Sequence, residues 1–133
     1  MPLWLAAQPL MLASKSAARR ALLEAAGVPI EIEPASIDER AIERRSRLKD
    51  AAKVAALLAR EKALAVAAKH PDRMVLGADQ TLAFGERRFS KAKDHAGARE
   101  QIAALRGKTH TLHSAVAVVQ GGTVIFEHVD AAQ

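Results

Sequence analysis

Cysteine is absent, and that absence removes a disulfide scaffold, a thiolate metal site and a cysteine nucleophile from consideration. Aromatic residues make up only 3% of the 133, so a core has to be assembled from aliphatic side chains and alanine. The same scarcity argues against a single-strand nucleic-acid module, which needs aromatic platforms for base stacking. No apolar run reaches membrane-spanning length, because Lys, Arg, Glu or Asp interrupts each one. The opening Met1-Pro2-Leu3-Trp4-Leu5 has no basic stretch ahead of an apolar one, so a secretory signal is not expected and a cytoplasmic location is. What is present is ordinary for a globular domain: 50% hydrophobic and 26% charged residues in a single domain's length. The net charge of +5 favours polyanionic partners, among them nucleic acid, phosphorylated metabolites and anionic lipid.

Along the chain, apolar runs and helical stripes alternate. Pro9 to Ala13 reads as a short buried strand, followed by a helix from about Ala17 to Ala26 that Ser14 or Ser16 can cap and Gly27 and Pro29 stop. Ile30 to Glu33 alternates with period two, as an exposed or edge strand does. The charged stretch from Pro34 to Asp50 reads as a loop holding a short helix. Asp50 then caps a long helix to about Lys69, with Val54, Leu57, Leu58 and Leu64 as its expected core stripe. Glu61 falls inside that stripe and Lys62 on its flank, so Glu61 is expected to orient Lys62. Met74 to Ala78 reads as a second buried strand ending in Asp79-Gln80, and Thr81 to Phe84 either continues it or returns after a kink. A helix over Ala96 to Leu105 with Gly107 as its C-cap follows. Last come a strand over Thr111 to Val119, a Gly121-Gly122 turn and a strand over Thr123 to Phe126. Strands and helices that alternate and then end in a hairpin give an α/β class with a mixed sheet and flanking helices. No repeat or linker divides residues 1–133, so one domain is expected.

Three constellations can carry chemistry. The turn Ser14-Lys15-Ser16 enters a helix whose first turns hold Arg19 and Arg20, a natural anion site that is also the composition of an ordinary capped helix. Asp79 follows a glycine and a buried strand, where an acid suits metal binding or general-base work, or simply caps a turn. Lys62, Lys91 and Lys93 supply positive charge, with Arg87-Arg88 reading as a solvated turn. His110 and His113 lie on opposite faces of an alternating strand without further ligands, and are set aside as a metal pair.

Six segments, in this order, resemble the Maf family of nucleoside triphosphate pyrophosphatases: Leu12 to Arg20 with Leu22-Leu23-Glu24, Ile37-Asp38-Glu39, Leu58-Ala59-Arg60-Glu61-Lys62-Ala63, Gly77-Ala78-Asp79-Gln80, Ser90-Lys91-Ala92, and Leu105-Arg106-Gly107-Lys108-Thr109-His110. The resemblance implies an inosine-triphosphatase-like fold, an elongated mixed sheet in two lobes around a nucleotide cleft. It implies hydrolysis of a nucleoside triphosphate between the α- and β-phosphates with Mg²⁺ or Mn²⁺, in a housecleaning role. Carried onto this chain, Asp79 is the catalytic residue and a metal ligand together with Glu39. Ser14, Arg19, Lys62 and Lys91 line the phosphate end, and Ala18 and Gln80 sit at positions tied to base selectivity. The Ala-Arg-Arg spacing and Gln80 look closer to the branch that prefers 7-methyl-GTP than to the dTTP/UTP branch.

Two departures accompany the match. Ala17 stands where the family usually has proline, and Ser90-Lys91-Ala92 where it has Gly-Lys-Pro; both losses cost rigidity more than chemistry. Family members also continue beyond the position of Gln133, so part of the sheet and one wall of the cleft are expected to be lacking. The alternative is therefore a catalytically inactive nucleotide-binding or regulatory relative. The partner expected is a nucleoside triphosphate, not nucleic acid or membrane, and an exposed sheet edge would favour a homodimer.

Overall fold

The structure, a computed structural model, describes residues 7–84, 87–89, 99 and 110–133. Strand β1 (Leu10–Leu12) is apolar throughout because it lies between two parallel neighbours, β2 (Ile30–Ile32) and β3 (Met74–Phe84), and all three of its residues are buried. Helix α1 (Ala17–Ala25) makes the crossover from β1 to β2, as parallel pairing requires. Ser16 caps it by accepting the Arg19 backbone N–H at 3.2 Å, and Gly27, at φ +84°, turns the chain out of it. β2 is an edge strand, as expected, but its burial does not alternate: Glu31 and Ile32 are both exposed.

The charged stretch after β2 holds the expected short helix, α2 (Glu39–Ser46), capped by Asp38 and closed by Arg47 in the left-handed region. Asp50 caps α3 (Ala51–Ala67) by accepting the N–H groups of Ala52 and Lys53 at 2.9 and 3.1 Å. β3 runs unbroken from Met74 to Phe84. It pairs in parallel with β1 at Val75 and Leu76, and antiparallel along its length with β5 (Thr111–Gln120). A short β4 (Arg87–Phe89) returns against the far end of β3. β5 pairs with β6 (Thr123–Ala132), giving the sheet order β2-β1-β3-β5-β6 with β4 beside β3. The sheet is mixed, as expected. Of the helix expected over Ala96–Leu105, with Gly107 as its cap, all but Arg99 lies outside the described residues.

The core between α3 and the sheet differs from the expected leucine stripe. The buried residues of α3 are Ala51, Val54, Ala55, Leu58, Ala59, Ala63, Val66 and Ala67, whereas Leu57 and Leu64 are half-buried. Opposite them lie Val75, Gly77, Ala115, Ala117 and Val119, and the cross-strand pair Gly77–Ala117 forms a flat floor. A Cβ on Gly77 would come within 2.1 Å of the Ala59 carbonyl oxygen, so glycine is what allows the helix to lie this close to the strand. Small residues on both surfaces substitute for the missing aromatics by shortening the helix–sheet distance.

β6 extends to Ala132, six residues past the expected Phe126. A bulge pairs Val118 with Phe126 and Val119 with Val124, leaving Ile125 as the extra residue. Ile125 and Phe126 are each about half exposed, and the Arg60–Glu127 ion pair at 3.3 Å ties α3 to this strand at the surface.

Candidate active site

β1 stops at Leu12 while its neighbour β3 runs on past Leu76, and the carboxyl end of a strand is the usual place for a ligand in an open α/β sheet. The Ala13 N–H donates to the Leu76 carbonyl at 2.9 Å and extends the ladder by one residue before the chain turns at Ser14. Ser14 is 8% exposed, and its hydroxyl oxygen accepts the Ser16 N–H and the Arg19 Nη1 donor, each at 3.1 Å. The Arg19 side chain is thereby folded back over the turn. Arg20 instead points outward and pairs with Glu24 at 2.6 Å, while Lys15 and Ala18 are exposed.

On β3, alternation sends Val75, Gly77, Asp79 and Thr81 to the face covered by α3. Asp79 is 9% exposed and therefore needs a partner, which Lys62 supplies from the flank of α3: Nζ lies 3.0 Å from Asp79 Oδ1. The same ammonium lies 2.8 Å from Glu39 Oε1 and 3.4 Å from the Ala78 carbonyl oxygen. Glu39 reaches it from the first turn of α2, where a carboxylate also suits the positive end of the helix. The second Asp79 oxygen accepts the Thr81 hydroxyl at 3.3 Å. Burial pushes the Asp79 carboxyl above its ordinary range. The charge and hydrogen bond of Lys62 work against that, Glu39 adds to it, and the Thr81 hydroxyl opposes it.

The structure thus gathers Glu39, Lys62 and Asp79 into one cluster and places Ser14 and Arg19 at the neighbouring strand end. Gln80 is not brought into it. It follows Asp79 on the strand, faces the opposite side of the sheet, and donates from Nε2 to Ser114 Oγ at 3.4 Å. Lys91 lies outside the described residues. Glu61 does not orient Lys62, whose ion-pair partners are Glu39 and Asp79; this corrects the expectation from sequence. Two contributors were not anticipated, Thr81 and the Ala78 carbonyl. The two-residue period of β3 pointed to Thr81, whereas no side-chain pattern can announce a carbonyl.

Among the described residues no group of three or more His, Asp and Glu side chains gathers as a metal cage. Two carboxylates nevertheless converge on a single cation, the Lys62 ammonium. One or two carboxylates completed by water and substrate phosphates is the hard-oxygen donor set that suits Mg²⁺ or Mn²⁺, so Glu39 and Asp79 fit such an ion by their chemistry.

Comparison with known proteins agrees with this reading of fold and motifs. The chain is 52% identical over its whole length to a nucleoside triphosphate pyrophosphatase of Rhodopseudomonas palustris, covering 66% of that protein. It is 47% identical over 127 residues, 93% of its length, to a 7-methyl-GTP pyrophosphatase of Rhizobium etli, covering 63% of that one. The chain therefore spans about two thirds of the length of the curated relatives it matches. Among solved structures, a HAM1 protein from Coxiella burnetii superposes with a TM-score of 0.53 at 14% identity, over 92% of this chain and 68% of that one, which relates the two folds. The Maf family, described as Maf-like protein, matches residues 9–133, and the chain belongs to that family.

Proposed function

We propose that the protein hydrolyses nucleoside triphosphates to the monophosphate and pyrophosphate, cleaving the α–β phosphoanhydride, in a housecleaning role against modified or non-canonical nucleotides. The observation that carries this reading is the Glu39–Lys62–Asp79 cluster around the buried Asp79 carboxylate, with Ser14 and Arg19 just past the end of the adjacent strand β1. Phosphoryl transfer asks a protein mainly to neutralise charge and to place a water in line. Water adds to the α-phosphorus and gives its proton to the Asp79 carboxylate as the bond to the bridging oxygen breaks. Pyrophosphate leaves with that oxygen. Without a cation, burial raises the affinity of Asp79 for a proton and Lys62 opposes that rise. Arg19, Lys62 and, by family resemblance, Lys91 offset the charge on the departing pyrophosphate. Ser14 holds the Arg19 guanidinium in place. Asp79 and Glu39 would hold a Mg²⁺ or Mn²⁺, which would supply charge neutralisation and a lowered water pKa when bound. Ala18 and Gln80 remain the proposed base-selectivity positions, and a nucleotide substrate is in keeping with a cytoplasmic location.

The test is a hydrolysis panel with Mg²⁺ or Mn²⁺ over nucleoside triphosphates that includes 7-methyl-GTP, dTTP and UTP. Pyrophosphate should be released with at least one of them, and Asp79→Asn should abolish the release. Orthophosphate as the first product would change the reaction class. Nucleotide binding without turnover across the panel would leave a binding or regulatory protein instead.

A further inference from the structure

We propose that Lys62 is the resident counter-ion of the Glu39–Asp79 pair, and that an incoming divalent cation displaces its ammonium from the carboxylates and frees it for the phosphates. The proposal rests on the pyrophosphatase reading and on the cation assigned to those two residues. An ammonium has three protons to donate, and Lys62 has three acceptors: Glu39 Oε1 at 2.8 Å, Asp79 Oδ1 at 3.0 Å and the Ala78 carbonyl at 3.4 Å. All its donors are engaged, and its side chain is only 17% exposed, so in this arrangement it offers nothing to a phosphate. It occupies the position to which both carboxylates are drawn. A divalent ion taking those oxygens would share the space with a unit positive charge, which repulsion in a half-buried site opposes. The lysine stem can swing its head by rotation about four carbons while its root stays on α3. Once off the carboxylates, the ammonium has lost two of its three acceptors, and a triphosphate oxygen is the natural replacement. Cation and nucleotide binding are then coupled through one side chain, with no movement of the backbone required.

The coupling predicts that Lys62 opposes cation binding when nucleotide is absent. Mn²⁺ titrations of the full chain without nucleotide, read by the electron paramagnetic resonance of free Mn²⁺, should give at least about tenfold tighter binding for Lys62→Met than for the wild type, a free-energy step of about 1.4 kcal/mol. Asp79→Asn should remove the site. Equal or weaker binding by Lys62→Met overturns the displacement while leaving Glu39 and Asp79 as cation ligands. Absence of Mn²⁺ binding in both proteins overturns the cation assignment, and the displacement with it. Should Lys62→Met fail to fold, the wild type alone decides. Acylation of Lys62 by an amine-reactive anhydride, followed by mass spectrometry against the other lysines as internal references, should accelerate several-fold when Mg²⁺ is added. An unchanged or slower rate overturns the proposal.

Discussion

Replacing Gly77 by alanine tests whether the close helix–sheet approach is what builds the site. The new Cβ would lie 2.1 Å from the Ala59 carbonyl oxygen and 2.9 Å from both Cβ and N of Ala63. Ordinary non-bonded contacts lie near 3.5 Å, so the shortfall at the carbonyl exceeds about an ångström. None of the three obstacles is the mobile end of a side chain, so α3 itself has to lift from β3. Overpacking of this kind costs about 1–3 kcal/mol and occasionally more. A backbone obstacle places Gly77→Ala at about 3 kcal/mol, of which alanine's smaller loss of chain entropy returns about 0.5–1 kcal/mol. With a urea dependence of about 2 kcal/mol per molar, a net loss near 2 kcal/mol moves the unfolding midpoint down by about 1 M. Lys62 sits three residues beyond Ala59 on the lifted helix, so its 3.0 Å contact with Asp79 should lengthen and pyrophosphate release should fall in the folded variant. Adding Ala63→Gly removes one obstacle but leaves the Ala59 carbonyl, so the double variant should not recover. A Gly77→Ala midpoint within about 0.2 M of the wild type would refute the reasoning, and so would full recovery in the double variant.

Other outcomes follow from individual contacts. Because burial raises the folded-state pKa of Asp79, its contribution to stability is present below its unfolded value near 4 and is lost as pH rises through the folded value. The melting temperature of Asp79→Asn should therefore gain on the wild type between pH 4 and pH 7; a gap that closes would mean that the Lys62 attraction outweighs burial. Asp50→Ala removes the cap from two N–H groups of α3 and should cost about 1 kcal/mol, while Asp50→Asn should keep most of it; urea unfolding of the two variants measures the difference. Ser14→Ala releases the Arg19 guanidinium and should raise KM for the triphosphate about tenfold with a smaller change in kcat, consistent with the roughly 1.5–3 kcal/mol of a hydrogen bond to a charged group. An unchanged KM would remove Ser14 from the phosphate end.

The segment from Leu10 to Ala25 was readable from sequence because every signal in it is local: an apolar run, a serine cap and a glycine stop. The same holds for α3 and for the glycine turn at Gly121, where φ is +62°. The expected partnership of Glu61 with Lys62 failed for a local reason as well. Successive residues on a helix diverge by about 100° and do not face each other, so the partners had to come from elsewhere. They come from α2 and β3, and Glu39 and Asp79 lie far from Lys62 along the chain. Strand geometry likewise separates Gln80 from Asp79 although the two are adjacent in the motif, since neighbours on a strand face opposite sides. The end of β6 is not legible because an exposed edge strand has no apolar alternation to display: Glu127, His128 and Asp130 are all exposed.

Core and site turn out to share one cause. Hydrophobicity favours leucine for the buried face of α3, yet Ala55, Ala59 and Ala63 take that place because the facing surface is Gly77, Ala115 and Ala117. Side chains of leucine size would hold the helix farther from the sheet, and a lysine rooted on that helix would then have to extend farther to reach β3. With alanine against glycine, Lys62 meets the Asp79 carboxylate at 3.0 Å and the Ala78 carbonyl at 3.4 Å while also reaching Glu39. The small residues that make this chain poor in conventional core signals are therefore also what brings an ammonium between two carboxylates. A pattern search that ranks positions by hydrophobicity passes over them, whereas the steric clash at Gly77 identifies them directly.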